Sequence, residues 1–247
     1  MQKACLIIPC YNEENRFPVA EFADYYNNSQ KFCFCLVNDG SSDATLKVLN
    51  ELKQGREDRI RVVNMPINKG KATAIQMGVT ESLKWQKFDY LGFMDADLST
   101  PFSQMELLLG KIESDFRYDF VFGSRVKLLG NKVERKAVRH YLGRVFSTLA
   151  SMVLRLPVYD TQCGAKIVKS DLVEKIFAEA FLSPWLFDVE LFARSITLKG
   201  KGYAQQHMLE MPLEKWKHQQ GSKLRLSALI RVPLDLFRIH LKYRKYL

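Results

Sequence analysis

Asp95 and Asp97, in the run Met94-Asp95-Ala96-Asp97, are the residues of this sequence best suited to chemistry. Two carboxylates with one residue between them, and no His or Cys beside them, suit a hard cation such as Mg²⁺ or Mn²⁺. Such an ion could bridge diphosphate oxygens and stabilise charge on a departing nucleotide. Residues two apart on an extended segment point to the same side, so both carboxylates are expected to face one ligand. The same run also reads as a strand end passing into a helix, with Ser99 or Thr100 as N-cap and Pro101 at the first helical position.

Three further polar clusters have the composition of ligand-binding turns. Pro9-Cys10-Tyr11-Asn12-Glu13-Glu14 offers Pro9, Tyr11 and Glu13 to frame a base. Asn38-Asp39-Gly40-Ser41-Ser42-Asp43 is both a polar turn that caps the next helix and a place from which Asp39 could reach a base or ribose. Asn68-Lys69-Gly70-Lys71 opens a helix; its glycine allows close approach, and N–H groups at a helix start favour phosphate. The spacing is not that of a P-loop. Gly123-Ser124-Arg125 closes an apolar segment, and Arg125 is either an ion-pair partner for acids nearby or a ligand for substrate phosphate.

The elements that must position these clusters alternate simply. Residues 4–9 (ACLIIP), 32–37 (FCFCLV), 60–63 and 90–94 (YLGFM) are short continuous apolar runs, as in strands buried on both faces. Helical patterns fill 15–28, 42–52 and 70–85. Strand and helix in alternation predict right-handed βαβ units around a mostly parallel sheet flanked by helices. Ligands of such sheets lie beyond the carboxyl ends of the strands, which is where the clusters after the first, second and fourth strands fall.

The chain has 247 residues and a net charge of +10, which suggests a polyanionic partner. Nucleic acid is disfavoured, because acids occupy the natural ligand edge where a nucleic-acid module would interleave aromatic and basic residues. A nucleotidyltransferase would carry a glycine-rich basic loop after the first strand, whereas Tyr-Asn-Glu-Glu stands here. Five cysteines without zinc-type spacing read as buried thiols in a reducing compartment. No signal peptide is evident and no run approaches the about 18–20 apolar residues of a transmembrane helix, so a soluble or peripheral cytoplasmic protein is expected.

With these clusters in view, the chain resembles the inverting GT-A glycosyltransferases of family 2. Within that group it looks most like the dolichyl-phosphate β-glucosyltransferases, with dolichyl-phosphate mannose synthases nearby. The motifs that carry this are Ile-Pro-Cys-Tyr-Asn-Glu-Glu, Asn-Asp-Gly-Ser-Ser-Asp, Asn-Lys-Gly-Lys and Met-Asp-Ala-Asp. In the second half they are Gly123-Ser124-Arg125, the run Asp160-Thr161-Gln162-Cys163-Gly164-Ala165-Lys166, the run Trp185-Leu186-Phe187-Asp188-Val189-Glu190-Leu191, and Gly221-Ser222-Lys223-Leu224. The resemblance implies a GT-A domain over 1–223, with a nucleotide-sugar half to about residue 126 and an acceptor half after it, followed by a basic helical segment over 224–247.

It also implies site roles. Pro9, Tyr11, Glu13, Asp39, Gly70, Lys71, Asp95 and Ala96 would hold the nucleotide, with Asp95 and Asp97 on Mg²⁺ or Mn²⁺. Arg125, Lys132, Arg135, Ser222 and Lys223 would meet donor or acceptor phosphate, and Asp160 and Asp188 would lie near the sugar. Asn38 and Ala165 depart from the family's usual Asp and Phe. Direct displacement onto a hydroxyl needs a general base, for which Asp188 would serve; a lipid phosphate is already ionised and needs none. The implied reaction is transfer of a hexose, glucose from UDP-glucose, to a polyprenyl or dolichyl phosphate; the alternative is mannosyl or other hexosyl transfer, from GDP-mannose or another donor, to polyprenyl phosphate or a hydroxyl acceptor.

Two stretches mix basic and apolar residues. Residues 127–155 and 224–247 both resemble helices that lie in a membrane interface, where each Lys or Arg near an anionic leaflet contributes on the order of 1 kcal/mol. Peripheral attachment to the cytoplasmic face is therefore expected. The same faces would also suit packing on the core or in a homo-oligomer.

Overall fold

The computed structural model describes residues 3–133, 137–217 and 226–247. In chain order the elements are β1 (Ala4–Cys10), α1 (Val19–Asn28), β2 (Phe32–Asp39), α2 (Thr45–Lys53), β3 (Ile60–Met65), α3 (Lys71–Trp85), β4 (Tyr90–Phe93), α4 (Phe102–Ser114) and β5 (Phe120–Ser124). They continue with β6 (Lys132–Val133), α5 (Ala137–Leu154), β7 (Lys166–Lys169), α6 (Ser170–Ile176), α7 (Phe187–Lys199), α8 (Lys201–His207), β8 (Met208–Pro212), β9 (Lys215–Trp216) and α9 (Leu226–Tyr243).

Seven strands form one sheet in the order β3-β2-β1-β4-β7-β5-β8. β1 pairs in parallel with both β2 and β4, so the winding reverses between β1 and β4. β7 is antiparallel to its neighbours β4 and β5, while β5 and β8 are parallel to each other. The sheet is thus mostly parallel, as expected. The two halves drawn in the sequence share it, because β7 and β8 of the second half join the sheet beside β4 and β5 of the first.

Alternate residues of β1 and β2 feed two cores. Ala4, Leu6, Ile8, Phe32, Phe34 and Leu36 meet α1, α2 and α4 through Phe22, Leu49, Leu52, Phe102 and Met105. Cys5, Ile7, Cys35 and Val37 meet the opposite layer, which α3, α5, α6, α7 and α9 build. The strands are apolar on both faces because both faces are covered. The five thiols are free, four of them buried.

Boundaries shift for local reasons. The helix expected from residue 15 begins at Val19, because the chain after Glu13 is a turn closed by the N–H of Phe17 on the Glu13 carbonyl (2.8 Å). α2 begins at Thr45, whose N–H donates to Asp43 Oδ1 (3.0 Å), an Asx contact that places the polar turn one residue outside the helix. α4 begins at Phe102, with Pro101 as its N-cap rather than its first turn. The stretch 127–155 is divided between loop, β6 and α5.

α9 is no appendage. Leu236, Ile239 and Tyr243 are buried in the core, and Tyr243 Oη donates to Glu190 Oε1 of α7 (2.8 Å). Its other stripe, Leu234, Phe237 and Leu241, is exposed, as are Val145, Leu149 and Met152 on α5. Among the described residues no helix is long and apolar enough to cross a membrane.

α3 lies close on the sheet because Gly78 presents no side chain to it. A Cβ there would overlap Ile7 Cγ2 and come within 3.0 Å of Val37 Cγ2. Gly78→Val is expected to destabilise the fold by about 1–3 kcal/mol through overpacking, read as a lowered urea midpoint at unchanged slope.

Candidate active site

The carboxyl ends of β1, β2, β4 and β5 share one rim of the sheet, and the reversed strand β7 starts there. Lys166, its first residue, pairs with Phe93 at the end of β4 and with Phe122 of β5. The antiparallel strand thereby delivers the residues just before it, Asp160 to Lys166, to the same rim. The start of α7, with Asp188, joins them through the Lys166 side chain.

Asp95 lies two residues beyond the end of β4, and the extended geometry expected of Asp95 and Asp97 does not hold. β4 ends at Phe93, Ala96 and Asp97 occupy a turn, and Leu98 has φ +48°. The two carboxylates accordingly have different partners. Lys71 Nζ donates to Asp95 Oδ1 (2.5 Å), whereas Asp97 Oδ1 accepts the N–H of Ser99 (3.0 Å) and its Oδ2 lies 4.0 Å from the Arg16 guanidinium. Burial pushes the Asp95 carboxyl up, but Lys71, then Arg125 and Lys166, bring it below the ordinary value. Burial likewise disfavours the Lys71 ammonium, and Asp95 and Asp188 more than offset it, so Lys71 titrates above its ordinary value.

Asp39 is buried, and its carboxylate is turned toward the opening of α3. It accepts the N–H of Lys69 (2.8 Å), the N–H of Gly70 (2.9 Å) and Asn68 Nδ2 (3.1 Å). Asp39 thus takes the two amides just before α3, and the Lys71 side chain stands at the first position of the helix. Burial raises the Asp39 carboxyl in spite of the two backbone donors. Gly40, at φ +60°, lets this turn lie against the backbone of Ile67 and Asn68, where a Cβ would not fit.

Two ion pairs complete the floor. Arg125 Nε and Nη2 meet the two oxygens of Asp160 at 2.7 and 2.9 Å, a fork that its own N–H extends (3.1 Å). Asp160 raises the Arg125 guanidinium further above its range than burial lowers it. Glu210 accepts the N–H groups of Tyr159 and Asp160, both at 2.7 Å, and fixes the loop that carries the pair. Of the two roles open to Arg125, the structure shows the ion-pair role. Lys166 is fully buried, and its Nζ donates to Asp188 Oδ1 and to the Cys163 carbonyl, both at 2.5 Å. Burial beside this cluster pushes the Cys163 thiol up to about 11.

The remaining expected residues surround this floor. Pro9 is half-buried at the end of β1, Tyr11 is exposed beyond it, Glu13 and Ala96 are buried, and Gly70 is half-buried. Lys132 is exposed on β6, whose partner β9 carries Trp216, and Arg125 lies 5.6 Å from the centroid of that ring. The N–H of Lys217 on the Ser99 carbonyl (2.9 Å) ties this strap to the turn after Asp97. Arg135, Ser222 and Lys223 lie outside the described residues.

Two residues had been given no role. Arg16 stands between Glu13 Oε2 (3.6 Å) and Asp97 Oδ2 (4.0 Å), and only the turn at 13–17 brings it there. Lys166 had a legible signal: a lysine at the head of an apolar strand requires a buried counter-ion.

The winding reversal at β1/β4, with acids and cations on the carboxyl rim at that point, is where an open α/β sheet takes its ligand. Residues 5–177 match the family described as Glycosyl transferase family 2, and the chain belongs to that family. It is 32% identical to a dolichyl-phosphate beta-glucosyltransferase of Trichomonas vaginalis, over 96% of this chain and 73% of that one. The enzyme of the same description from Mus musculus is 30% identical over 96% and 75%. Among solved structures, glucosyl-3-phosphoglycerate synthase of Mycobacterium tuberculosis with UDP superposes with TM-score 0.67 at 15% identity, over 97% of this chain and 80% of that one. Mannosyl-3-phosphoglycerate synthase of Rubrobacter xylanophilus gives 0.69 at 15%, over 98% and 73%.

Removing Lys166 strands a buried carboxylate. Lys166→Met is expected to cost about 3–5 kcal/mol of stability, measured by urea denaturation, and the double variant with Asp188→Asn should recover part of it.

Proposed function

We propose that this chain transfers glucose from UDP-glucose to a polyprenyl phosphate at a membrane surface. The observation that carries the reading is the pairing of the site's acids. Asp188, the residue best placed by sequence to act as base, holds a lysine ammonium at 2.5 Å in a buried setting, and Asp160 is clamped by Arg125. Each is thus engaged by a cation of its own chain rather than held open as a proton acceptor. An acceptor that is already an anion asks for none; it asks that two anions be brought together and their repulsion offset. The similarity to dolichyl-phosphate beta-glucosyltransferases over nearly the whole chain supports the same acceptor and sugar. GDP-mannose is the alternative donor.

The donor set of the Asp95–Asp97 turn fits a hard divalent cation. Both residues offer carboxylate oxygen. That suits Mg²⁺ or Mn²⁺, which keeps part of its coordination for substrate phosphate. A solved neighbour of low identity, glucosyl-3-phosphoglycerate synthase, contains Mn²⁺ with UDP. When bound, the ion would offset charge on the departing diphosphate. Lys71 adds a positive charge from the start of α3, the Arg125–Asp160 fork fixes the floor beneath, and the Lys166–Asp188 pair fixes the start of α7 beside them. Tyr11, exposed just beyond β1, would flank the base.

The exposed stripes of α5 and α9, with the chain's positive charge, support attachment to an anionic lipid surface at the cytoplasmic face. Free thiols agree with a reducing compartment.

Purified protein given Mn²⁺ or Mg²⁺, a short polyprenyl phosphate, and labelled UDP-glucose or GDP-mannose in parallel should move label into the organic phase from UDP-glucose. Asp97→Ala should lower this by about a hundredfold or more, the scale of losing one preorganised transition-state contact. Label from GDP-mannose alone would reassign the donor, and transfer only to hydroxyl acceptors would sink the phosphate-acceptor reading. A second expectation concerns the membrane. Leu234→Glu with Phe237→Glu should reduce co-sedimentation with anionic liposomes while changing stability by no more than about 0.5 kcal/mol each, because both side chains face solvent.

A further inference from the structure

Asp95 is gripped from two sides by its own chain. Lys71 Nζ is on Oδ1 at 2.5 Å. On the other side, Oδ2 lies so close to Gly164 that a Cβ at that position would overlap the carboxylate. Gly164 is backbone, held by the loop that ends in β7, and cannot step aside. Lys71 can. Its backbone is anchored where Asp39 takes the N–H groups of Lys69 and Gly70, but its flexible four-carbon stem is free to swing. The pair is also reachable, since the Lys71 and Asp95 side chains keep 35% and 37% of their surface exposed, unlike the sealed Lys166–Asp188 pair at 0% and 6%.

An ammonium and a divalent cation at one carboxylate oxygen repel each other, so an ion entering at Oδ1 disfavours the lysine there. We propose that Lys71 is the resident counter-ion of Asp95, displaced when a divalent cation enters with the donor, so that the ion binds tightly only when a diphosphate is present to receive the released ammonium. This rests on the metal and diphosphate assignment made above. Its consequence is that metal and nucleotide bind cooperatively and that Lys71 carries the coupling. By linkage, whatever factor the nucleotide adds to metal affinity, the metal adds to nucleotide affinity. The lysine is then a gate against idle metal occupancy as well as a source of charge for the leaving group.

The experiment is Mn²⁺ titration followed by the electron paramagnetic resonance signal of the free ion, with and without UDP. Wild-type protein, Lys71→Met, Lys71→Gln, Lys71→Arg and Asp95→Asn are compared, each checked by thermal melting. Without UDP, the Met and Gln variants should bind Mn²⁺ at least about tenfold more tightly than wild type, because a like charge in contact with the site has gone. The Arg variant, which keeps the charge, should stay near wild type. With UDP, the advantage of the Met and Gln variants should shrink or reverse, and Asp95→Asn should bind weakly in both conditions. Unchanged or weaker Mn²⁺ binding by both neutral variants without UDP, alongside normal Mn²⁺–UDP binding by wild type, would overturn the counter-ion role while leaving the metal site standing. Wild type that takes up no Mn²⁺ even with UDP would overturn the metal assignment itself, and the inference with it.

Discussion

Burying an ionised side chain without a partner costs more than any single packing contact returns, and this rim buries several within a few residues of one another. Asp160 is held by Arg125 and Asp188 by Lys166, and Asp95 is held at the edge by Lys71. Each partner arrives from a different part of the chain: the end of β5 with the loop before β7, the start of β7 with the start of α7, and the start of α3 with the turn after β4. The site is therefore assembled by pairing rather than by any one loop. Apart from the half-exposed Lys71 side chain, its geometry follows the sheet beneath it.

The one reversed strand makes this assembly possible. Were β7 parallel to β4 and β5, its first residue would stand at the amino end of the sheet, far from the donor side. Reversal puts Lys166 opposite Phe93 and Phe122 and brings the Gly164 backbone against Asp95. The departure of Ala165 from the Phe usual in the family falls here, at a buried position.

α7 links the site to the far side of the fold. Two residues after Asp188, Glu190 accepts Arg194 (2.9 Å), Tyr243 Oη of α9 (2.8 Å) and the N–H of Leu182 (2.7 Å). Arg194 in turn donates to the carbonyls of Ile176, Glu179 and Ala180. The helix whose first turn carries Asp188 is thus the same one on which α9 docks. Through it, the helix that bears the exposed apolar stripe of α9 and the floor of the site belong to one packed unit.

The sequence alone determined the parallel α/β class, since doubly buried strands and helices in alternation leave few other folds. It also placed the polar clusters on one rim, because ligand-side turns follow strand ends in such sheets. It marked Asp95 and Asp97 by their local spacing. It could not decide which charge holds which: Arg16 on Asp97, Lys71 on Asp95 and Lys166 on Asp188 are contacts between segments up to 81 residues apart. Nor could it tell that Asp39 would close on the amides before α3, or that α9 would split into a core stripe and an exposed one. Periodicity and turn chemistry act over a few residues and are written in the chain. The choice of counter-ion depends on which side chains the sheet order brings within contact and how far water is excluded there, and only the tertiary structure sets both.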